Sequence, residues 1–123
     1  MKTLATLTAC LFGFAGACHA AQIASPSITA DGTQHVALCI VYNGGTTPQT
    51  VRVQLFDETG TVVADSGTCQ AIPGGQFCSI AKIGISNDNA YACAATAASV
   101  TQLRGAIILQ DNSDKSLRSE QLR

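Results

Sequence analysis

The sequence predicts an all-β domain, an antiparallel β-sandwich of about seven or eight strands. Short β-branched and apolar runs recur about every 8 to 12 residues, with Gly, Pro, Asn and Asp turn signals between them. No segment has convincing helical periodicity. Four cysteines follow residue 20, and such an even number is typical of a disulfide framework in an exported domain.

The first 20 residues have the order of a secretory signal peptide. Lys2 precedes an apolar run from Leu4 to Phe14, small residues follow, and a candidate cleavage point lies after Ala20. This run is shorter than the roughly 20 residues that span a bilayer, so we expect no integral membrane span. We expect export to the periplasm or the cell exterior and a single domain over residues 21–123. Lipid anchoring at Cys18 is a minor alternative.

The four cysteines after the leader allow three disulfide pairings. A hairpin centred on Pro73-Gly74 would place Cys69 directly opposite Cys78, as a non-hydrogen-bonded pair whose separation suits a disulfide. An L-Pro-Gly turn twists poorly for a two-residue hairpin, so a wider loop would shift this register. In the favoured pairing, the remaining two cysteines pair with each other.

Two other interpretations of the cysteines are weaker. Structural zinc usually has ligand pairs at C-x2-C spacing, which these cysteines lack. A catalytic thiol would need a base, but His35 is the only histidine after the leader, and a free thiol oxidises after export. His35 itself is interpreted as a strand-end side chain. Structural disulfides are therefore favoured.

The first half of the domain contains the clearest strands. Residues 22–32 are polar and predict an edge strand or arm, and Val36 to Tyr42 predicts a strand buried on much of both faces. Apolar and polar residues then alternate over 51–56 up to a predicted four-residue loop, 57–60, with Gly60 at positive φ. The resulting hairpin register pairs Leu55 with Val62, Val53 with Ala64, and Arg52 with Asp65 as an exposed ion pair with a structural role.

The second half predicts four more strands. Two short ones, 69–72 and 77–83, flank the turn, and a polar corner covers 84–89. The alanine-rich segment 90–98 has helical propensity, but Tyr91 and Cys93 have the period-two spacing of a strand. Residues 103–109 predict a further strand, and 115–123 a short strand or a frayed end.

Three segments together resemble immunoglobulin-like domains, and more narrowly short exported bacterial proteins with an immunoglobulin-like β-sandwich. They are Val-Ala-Leu-Cys-Ile-Val-Tyr at 36–42, Tyr-Ala-Cys at 91–93 and Arg-Gly-Ala-Ile-Ile-Leu at 104–109. The resemblance implies that a Cys39–Cys93 disulfide joins the two sheets and that the Tyr91 hydroxyl bonds back to the corner before it. Asp88 lies one residue short of the family's Asp-x-Ala-x-Tyr-x-Cys signature, so no role is carried over to it, and the tryptophan of antibody-type domains is absent.

Composition and motifs exclude several function classes. The formal charge is −1 and 12% of residues are charged, which excludes a basic nucleic-acid surface and a polybasic membrane surface. Aromatic residues make up only 5%, too few for a platform that stacks bases or sugars. No hydrolase, metallopeptidase or nucleotide-binding motif occurs, and the acidic segments 57–58 and 111–114 are interpreted as turns. We therefore predict no catalytic residue, metal or cofactor.

Three loops, 43–49, 72–76 and 99–102, are expected to gather at one end of the sandwich. They are rich in Gly, Thr, Gln and Ser, which suits recognition of a protein or a cell-envelope component. The candidate binding residues are Asn43, Gly44, Thr46, Thr47, Ser99, Thr101 and Gln102.

The sequence thus predicts a non-catalytic binding, structural or adhesion-type module. One alternative is an inhibitor of a secreted enzyme that uses the loop clamped between Cys69 and Cys78. Another is an enzyme whose carboxylates come together only on folding.

Overall fold

The computed structural model describes residues 20–113 and 115–123. The predicted signal peptide, except for Ala20, and the alternative lipid-anchoring site at Cys18 lie outside the described residues. Within these ranges, no helix is long and apolar enough to cross a membrane.

The described chain consists of ten β-strands joined by turns and loops. They are β1 (Ala21–Ala24), β2 (Ile28–Thr29), β3 (Val36–Asn43), β4 (Gln49–Asp57), β5 (Val62–Asp65), β6 (Cys69–Ile72), β7 (Phe77–Ile83), β8 (Ala90–Ala97), β9 (Leu103–Gln110) and β10 (Ser116–Gln121). The alanine-rich segment is therefore a strand, as its period-two spacing predicts, and the C-terminal segment is a strand too.

The strands form two antiparallel sheets, which confirms the predicted all-β architecture. In sheet 1 the order is β1-β8-β4-β5, and the short strands β2 and β6 pair with β8 and β4 beside them. In sheet 2 the order is β10-β9-β3-β7. The strand count exceeds the predicted seven or eight because the N-terminal segment forms two short strands, β1 and β2, and the C-terminal segment forms a strand as well. Pro26, which has no N–H for a ladder, lies between β1 and β2.

The core lies between the two sheets and follows the period-two pattern of the strands. Alternate residues of β3, β4 and β9 point inward and are fully buried, whereas their neighbours are at least partly exposed. The fully buried set includes Cys39, Val41, Val51, Val53, Leu55, Ile107 and Leu109.

Both predicted disulfides are present, and both join the two sheets. Cys39 of β3 is bonded to Cys93 of β8, with their Cα atoms 5.9 Å apart. Cys69 of β6 is bonded to Cys78 of β7, with a Cα separation of 6.3 Å. The first bond links interior strands through the core, and the second links edge strands.

The predicted hairpin between Cys69 and Cys78 is wrong, although the bond itself is present. Strand β6 pairs with β4 and strand β7 pairs with β3, so the two cysteines are not cross-strand neighbours. The turn between them is centred on Gly74-Gly75, with Gly75 at φ 81° and the Gln76 N–H donating to the Pro73 carbonyl oxygen (3.1 Å). This turn carries the chain from one sheet to the other.

The predicted register of the β4–β5 hairpin is also wrong. The loop has three residues, 58–60, because the Asp57 N–H donates to the Thr61 carbonyl oxygen (2.9 Å), and Gly60 has the expected positive φ of 78°. Such a loop ends in a left-handed residue. Together with a bulge at Val63, it moves the pairing so that Leu55 faces Ala64, Phe56 faces Val62 and Gln54 faces Asp65.

The Arg52–Asp65 ion pair forms, but diagonally: Asp65 lies opposite Gln54, two residues along β4 from Arg52. Arg52 Nη2 lies 2.6 Å from Asp65 Oδ2, and Gln54 Nε2 donates to the same oxygen at 3.0 Å. Both charged side chains are partly exposed. The contact ties the two strands of the hairpin together, consistent with a structural role.

At the opposite end of the core, Tyr91 makes the contact that the resemblance implies. Its side chain is 4% exposed, and its hydroxyl accepts a hydrogen bond from the Ser86 N–H at 3.1 Å. The corner before β8 is thereby held to the strand. Asp88 lies in this corner with φ 63°, a left-handed conformation that aspartate tolerates better than most residues.

Removal of the core disulfide should destabilise the fold more than removal of the edge disulfide. The bonds span 54 and 9 positions, for which chain entropy predicts about 4 and about 3 kcal/mol. Cys39 and Cys93 are also fully buried, so C39A/C93A adds a cavity cost. Urea unfolding followed by far-UV circular dichroism should rank C39A/C93A below C69A/C78A. Equal losses, or the reverse order, would contradict this account.

The Arg52–Asp65 pair should make stability depend on pH in the acid range. The hydrogen bond from Arg52 lowers the pKa of Asp65 to about 2. Because the unfolded value is about 3.9, the ionised carboxylate stabilises the fold above pH 4, and this contribution is lost as the pH falls toward 2. The difference in urea midpoint between wild type and D65N should therefore shrink from pH 6 to pH 2. R52Q should behave like D65N, and a pH-independent difference would argue against the pair.

Candidate binding surface at the loop end

Three loops meet where β3 ends, and we term the surface that they form the loop end: residues 43–49, 72–76 and 98–102. The Gly44 N–H donates to the Gln102 carbonyl oxygen (2.9 Å), which joins the first loop to the third. The Gly75 N–H donates to the Asn43 carbonyl oxygen (2.8 Å), which joins the second loop to the first. The loops that the sequence expects to be neighbours therefore lie together.

Asn43 holds the loop end together with its side chain. Its Nδ2 group donates to the Thr47 carbonyl oxygen (2.8 Å) and to the Ile72 carbonyl oxygen (2.9 Å). Its Oδ1 atom accepts the Gly45 N–H at 3.0 Å. Both amide hydrogens are thus in use, and buried networks that are fully satisfied in this way rigidify the structure around them.

The main chain of Asn43 adds two further bonds to the second loop. Its N–H donates to the Gln76 carbonyl oxygen (2.9 Å), and its carbonyl oxygen accepts the Gly75 N–H (2.8 Å). One residue therefore fixes the first two loops relative to β3.

Asn43 is not a contact residue, contrary to the sequence interpretation that placed it among the surface loop residues. It is fully buried. Like Cys39 and Val41 on the same strand, it lies at an alternate position whose side chain points into the core. The period-two spacing of these residues is a sequence signal for this inward position. From this buried position Asn43 holds the exposed loop residues in place.

Close approach of main chains is a second source of rigidity at the loop end. Gly74 lies directly against the main chain of Gly45, and a Cβ on Gly74 would collide with the Gly45 carbonyl oxygen. Only glycine permits this contact between the first and second loops. The first and second loops consequently pack backbone to backbone at this point.

A hollow of about 370 Å³ lies on the exposed side of the first and third loops. It is lined by Gly44, Gly45, Thr46, Thr47, Gln49 and Gln102. The side chains are neutral hydroxyl and amide groups, and Thr46, Thr47 and Gln102 are exposed. The lining offers hydrogen bonds to a neutral polar ligand and contains neither a nucleophile–base pair nor a charge.

The structure brings four of the seven candidate residues into this lining: Gly44, Thr46, Thr47 and Gln102. Ser99 and Thr101 lie beside it in the third loop, exposed, with their hydroxyl oxygens 3.2 Å apart. Gln49 also lines the hollow. The sequence places it in the loop 43–49 but not among the candidate binding residues, and in the structure it is the first residue of β4.

A second and larger hollow, of about 540 Å³, lies beside the edge disulfide. It is lined by Cys69, Gln70, Ile72, Pro73, Gln76, Phe77, Cys78 and Ser79. Phe77 is 63% exposed, so this hollow has an apolar rim that the loop-end hollow lacks. The clamped segment of the inhibitor alternative forms most of this surface.

Asp57 and Asp111 lie at the end of the sandwich opposite the loop end, and their carboxylates accept hydrogen bonds within their own turns. Hydrogen bonds from Thr59 and Thr61 lower the pKa of Asp57, and a backbone hydrogen bond from Lys115 lowers the pKa of Asp111. These contacts agree with the interpretation of both acidic segments as turns. Among the described residues, no three His, Cys, Asp or Glu side chains form a cluster that could hold a metal ion.

Comparisons of the chain with known protein families, with curated proteins and with solved structures found no match.

Substitution of Asn43 should loosen the loop end and destabilise the domain. N43A would leave the Thr47 and Ile72 carbonyl oxygens and the Gly45 N–H without their partner, at a cost of about 3 kcal/mol or more. We expect a lower urea midpoint and faster amide exchange at Gly45. T46A is the matched control, because Thr46 is exposed, and it should stay within about 0.5 kcal/mol of wild type. If both variants had the same stability, the role assigned to Asn43 would be wrong.

Proposed function

We propose that this protein is an exported, non-catalytic binding module that recognises a protein partner through the loop end. The observation that carries the proposal is the Asn43 network, in which one buried side chain holds two loops in place. The side chains that line the hollow beside it are threonines and glutamines, which are polar and uncharged. A fixed set of such groups is suited to recognition, because little conformational freedom is lost when a partner binds.

The chemistry of the hollow limits the class of partner. Gly44 and Gly45 allow a partner's main chain to come close, while Thr46, Thr47 and Gln102 can hydrogen-bond to peptide groups. No aromatic side chain lines the hollow, so stacking on a sugar or a base is not available there. A neutral, polar segment of a protein at the cell envelope or outside the cell fits best.

Export is part of this proposal and is supported by the two disulfides. Such bonds persist in oxidising compartments and are rare in the cytosol. The signal-peptide pattern of residues 1–20 agrees with this assignment.

An immunoglobulin-like ancestry is also a proposal. Its support is that the bonded Cys39 and Cys93 lie on strands of opposite sheets and that Tyr91 holds the corner before its strand. Two strands depart from the immunoglobulin order. The first strand, β1, pairs with β8 in sheet 1, and β9, which follows the second cysteine strand, pairs with β3 in sheet 2.

The inhibitor alternative is favoured by one specific observation. The edge disulfide fixes both ends of a short exposed turn, and Phe77 projects beside it with 63% of its surface exposed. A constrained turn with one apolar anchor suits insertion into the cleft of a secreted hydrolase.

The loop-end proposal is tested by partner capture with paired variants. The immobilised protein is exposed to surface and secreted proteins of its source cells, and captured proteins are identified by mass spectrometry. T46K/Q102K places two charges at the loop end, and N87K/N112K places the same charges on exposed turns at the opposite end. We expect a partner that wild type and N87K/N112K retain and that T46K/Q102K binds at least tenfold more weakly.

Equal binding by both variants, or no partner at all, would overturn the loop-end assignment. Inhibition of a secreted hydrolase by wild type, lost in C69S/C78S but kept in T46K/Q102K, would decide for the alternative.

A further inference from the structure

Strand β7 forms one edge of sheet 2, and β3 is its only paired neighbour among the described residues. The bonds that flank this pairing are Asn43 N–H to the Gln76 carbonyl oxygen (2.9 Å) and Gly84 N–H to the His35 carbonyl oxygen (2.8 Å). Bonded pairs recur at every second residue of an antiparallel ladder. The main-chain groups of Cys78, Ile80 and Lys82 therefore face β3, and those of Phe77, Ser79, Ala81 and Ile83 face away from the sheet.

The side chains of these same four residues lie on the outer face of sheet 2, and all four residues are exposed. None is charged. Phe77 and Ile83 are 63% and 76% exposed, more than any other large hydrophobic residue of the described chain. The edge thus combines unpaired main-chain groups with apolar side chains.

The other sheet edges are shorter or interrupted, in the manner by which proteins protect exposed edges. Strands β1, β5 and β6 have 4 residues each and β2 has 2. Strand β10 has 6 residues with a register shift. Strand β7 has 7 residues and pairs without any irregularity, so it is the best template for a further strand.

We propose that the partner of this edge is a second copy of the chain, paired antiparallel along β7 about a two-fold axis at Ile80. In this register Phe77 lies opposite the second copy's Ile83, and Ser79 lies opposite the second copy's Ala81. All four outward-facing residues of β7 then find an outward-facing partner, and each such pair exchanges two main-chain hydrogen bonds. A shift of the register by two residues in either direction would lose one of the four pairs.

The side chains of β7 complement themselves in this register. The most exposed apolar residues, Phe77 and Ile83, cover each other at both ends, and the small Ser79 and Ala81 meet at the centre. Strands with directly opposed like charges are destabilised, and none arises here. Lys82, the only charged residue of β7, points to the inner face and lies opposite the second copy's Cys78.

The size of the edge sets the strength of the dimer. At about 3.4 Å per residue, a seven-residue edge is about 24 Å long, which gives an interface below the usual size of stable complexes. We therefore expect a weak, reversible dimer that forms only at high protein concentration. The inference is independent of the loop-end proposal, because it uses the outer edge of sheet 2.

Amide exchange measured by NMR over a concentration series tests the register residue by residue. Protection should rise with concentration at Phe77, Ser79, Ala81 and Ile83. It should stay constant at Cys78, Ile80 and Lys82, whose main chains already face β3. Uniform protection along β7, or none at about 1 mM, would overturn the proposal.

A pair of charge variants provides the second test, by sedimentation equilibrium. S79K/A81K places lysine opposite lysine at both central pairs and should weaken dimerisation at least tenfold. S79E/A81K places glutamate opposite lysine in the same register and should dimerise at least as well as wild type.

Both variants carry two exposed substitutions on the same strand, so circular dichroism should show the same fold for both. Two monomeric variants that are equally well folded would indicate packing through the apolar face of the sheet and would overturn the edge register. Two equally dimeric variants would place the contact elsewhere and overturn it as well.

Discussion

The Cys39–Cys93 disulfide is the link on which the rest of the molecule depends. It joins an interior strand of one sheet to an interior strand of the other, at a Cα separation of 5.9 Å. Strand β3 pairs with both β7 and β9, while β8 pairs with β1, β2 and β4. The sheets can approach closely around this bond because the inward residues that follow Cys93, Ala95 and Ala97, are small. The chain has no tryptophan to bury, and the disulfide supplies stability that a buried aromatic side chain would otherwise contribute.

The loop end is held together by hydrogen bonds, whereas the core is held together by the Cys39–Cys93 disulfide. Asn43 continues the inward face of β3 past the last apolar residue, so its amide lies beneath the loops and is surrounded by main-chain groups. The same strand therefore carries the cystine at its centre and the polar anchor at its end. This arrangement couples the rigidity of the sandwich to that of the loop end, because β3 carries both the disulfide and the Asn43 network.

The edge disulfide has a different consequence. The Cys78 side chain points into the core and its disulfide ties β7 to β6 of the opposite sheet, which holds β7 in place. The edge of β7 that faces away from β3 has no strand beside it in the described structure. A covalently held edge can remain regular without a second hydrogen-bonded neighbour, and this regularity is what distinguishes β7 from the shorter or bulged edges elsewhere.

Local chemistry in the sequence determined most of the strands and turns. A continuous β-branched and apolar run marked β3, alternation of apolar and polar residues marked β4, and Gly60 marked the turn before β5. These signals are local because side-chain period and backbone sterics act over a few neighbouring residues. The positions of the three loops at the loop end were predictable as well, because the ends of the strands define where the loops lie.

Only the tertiary structure decided which strands pair and in what register. Cys69 and Cys78 are neighbours in sequence, yet β6 and β7 belong to different sheets, and one bulged residue at Val63 shifted the β4–β5 pairing. Main-chain hydrogen bonds are chemically the same for nearly every residue, so the sequence does not label the partner of a strand. Burial of Asn43 and exposure of the β7 edge depend on those partners, and they became visible only once both sheets were assembled.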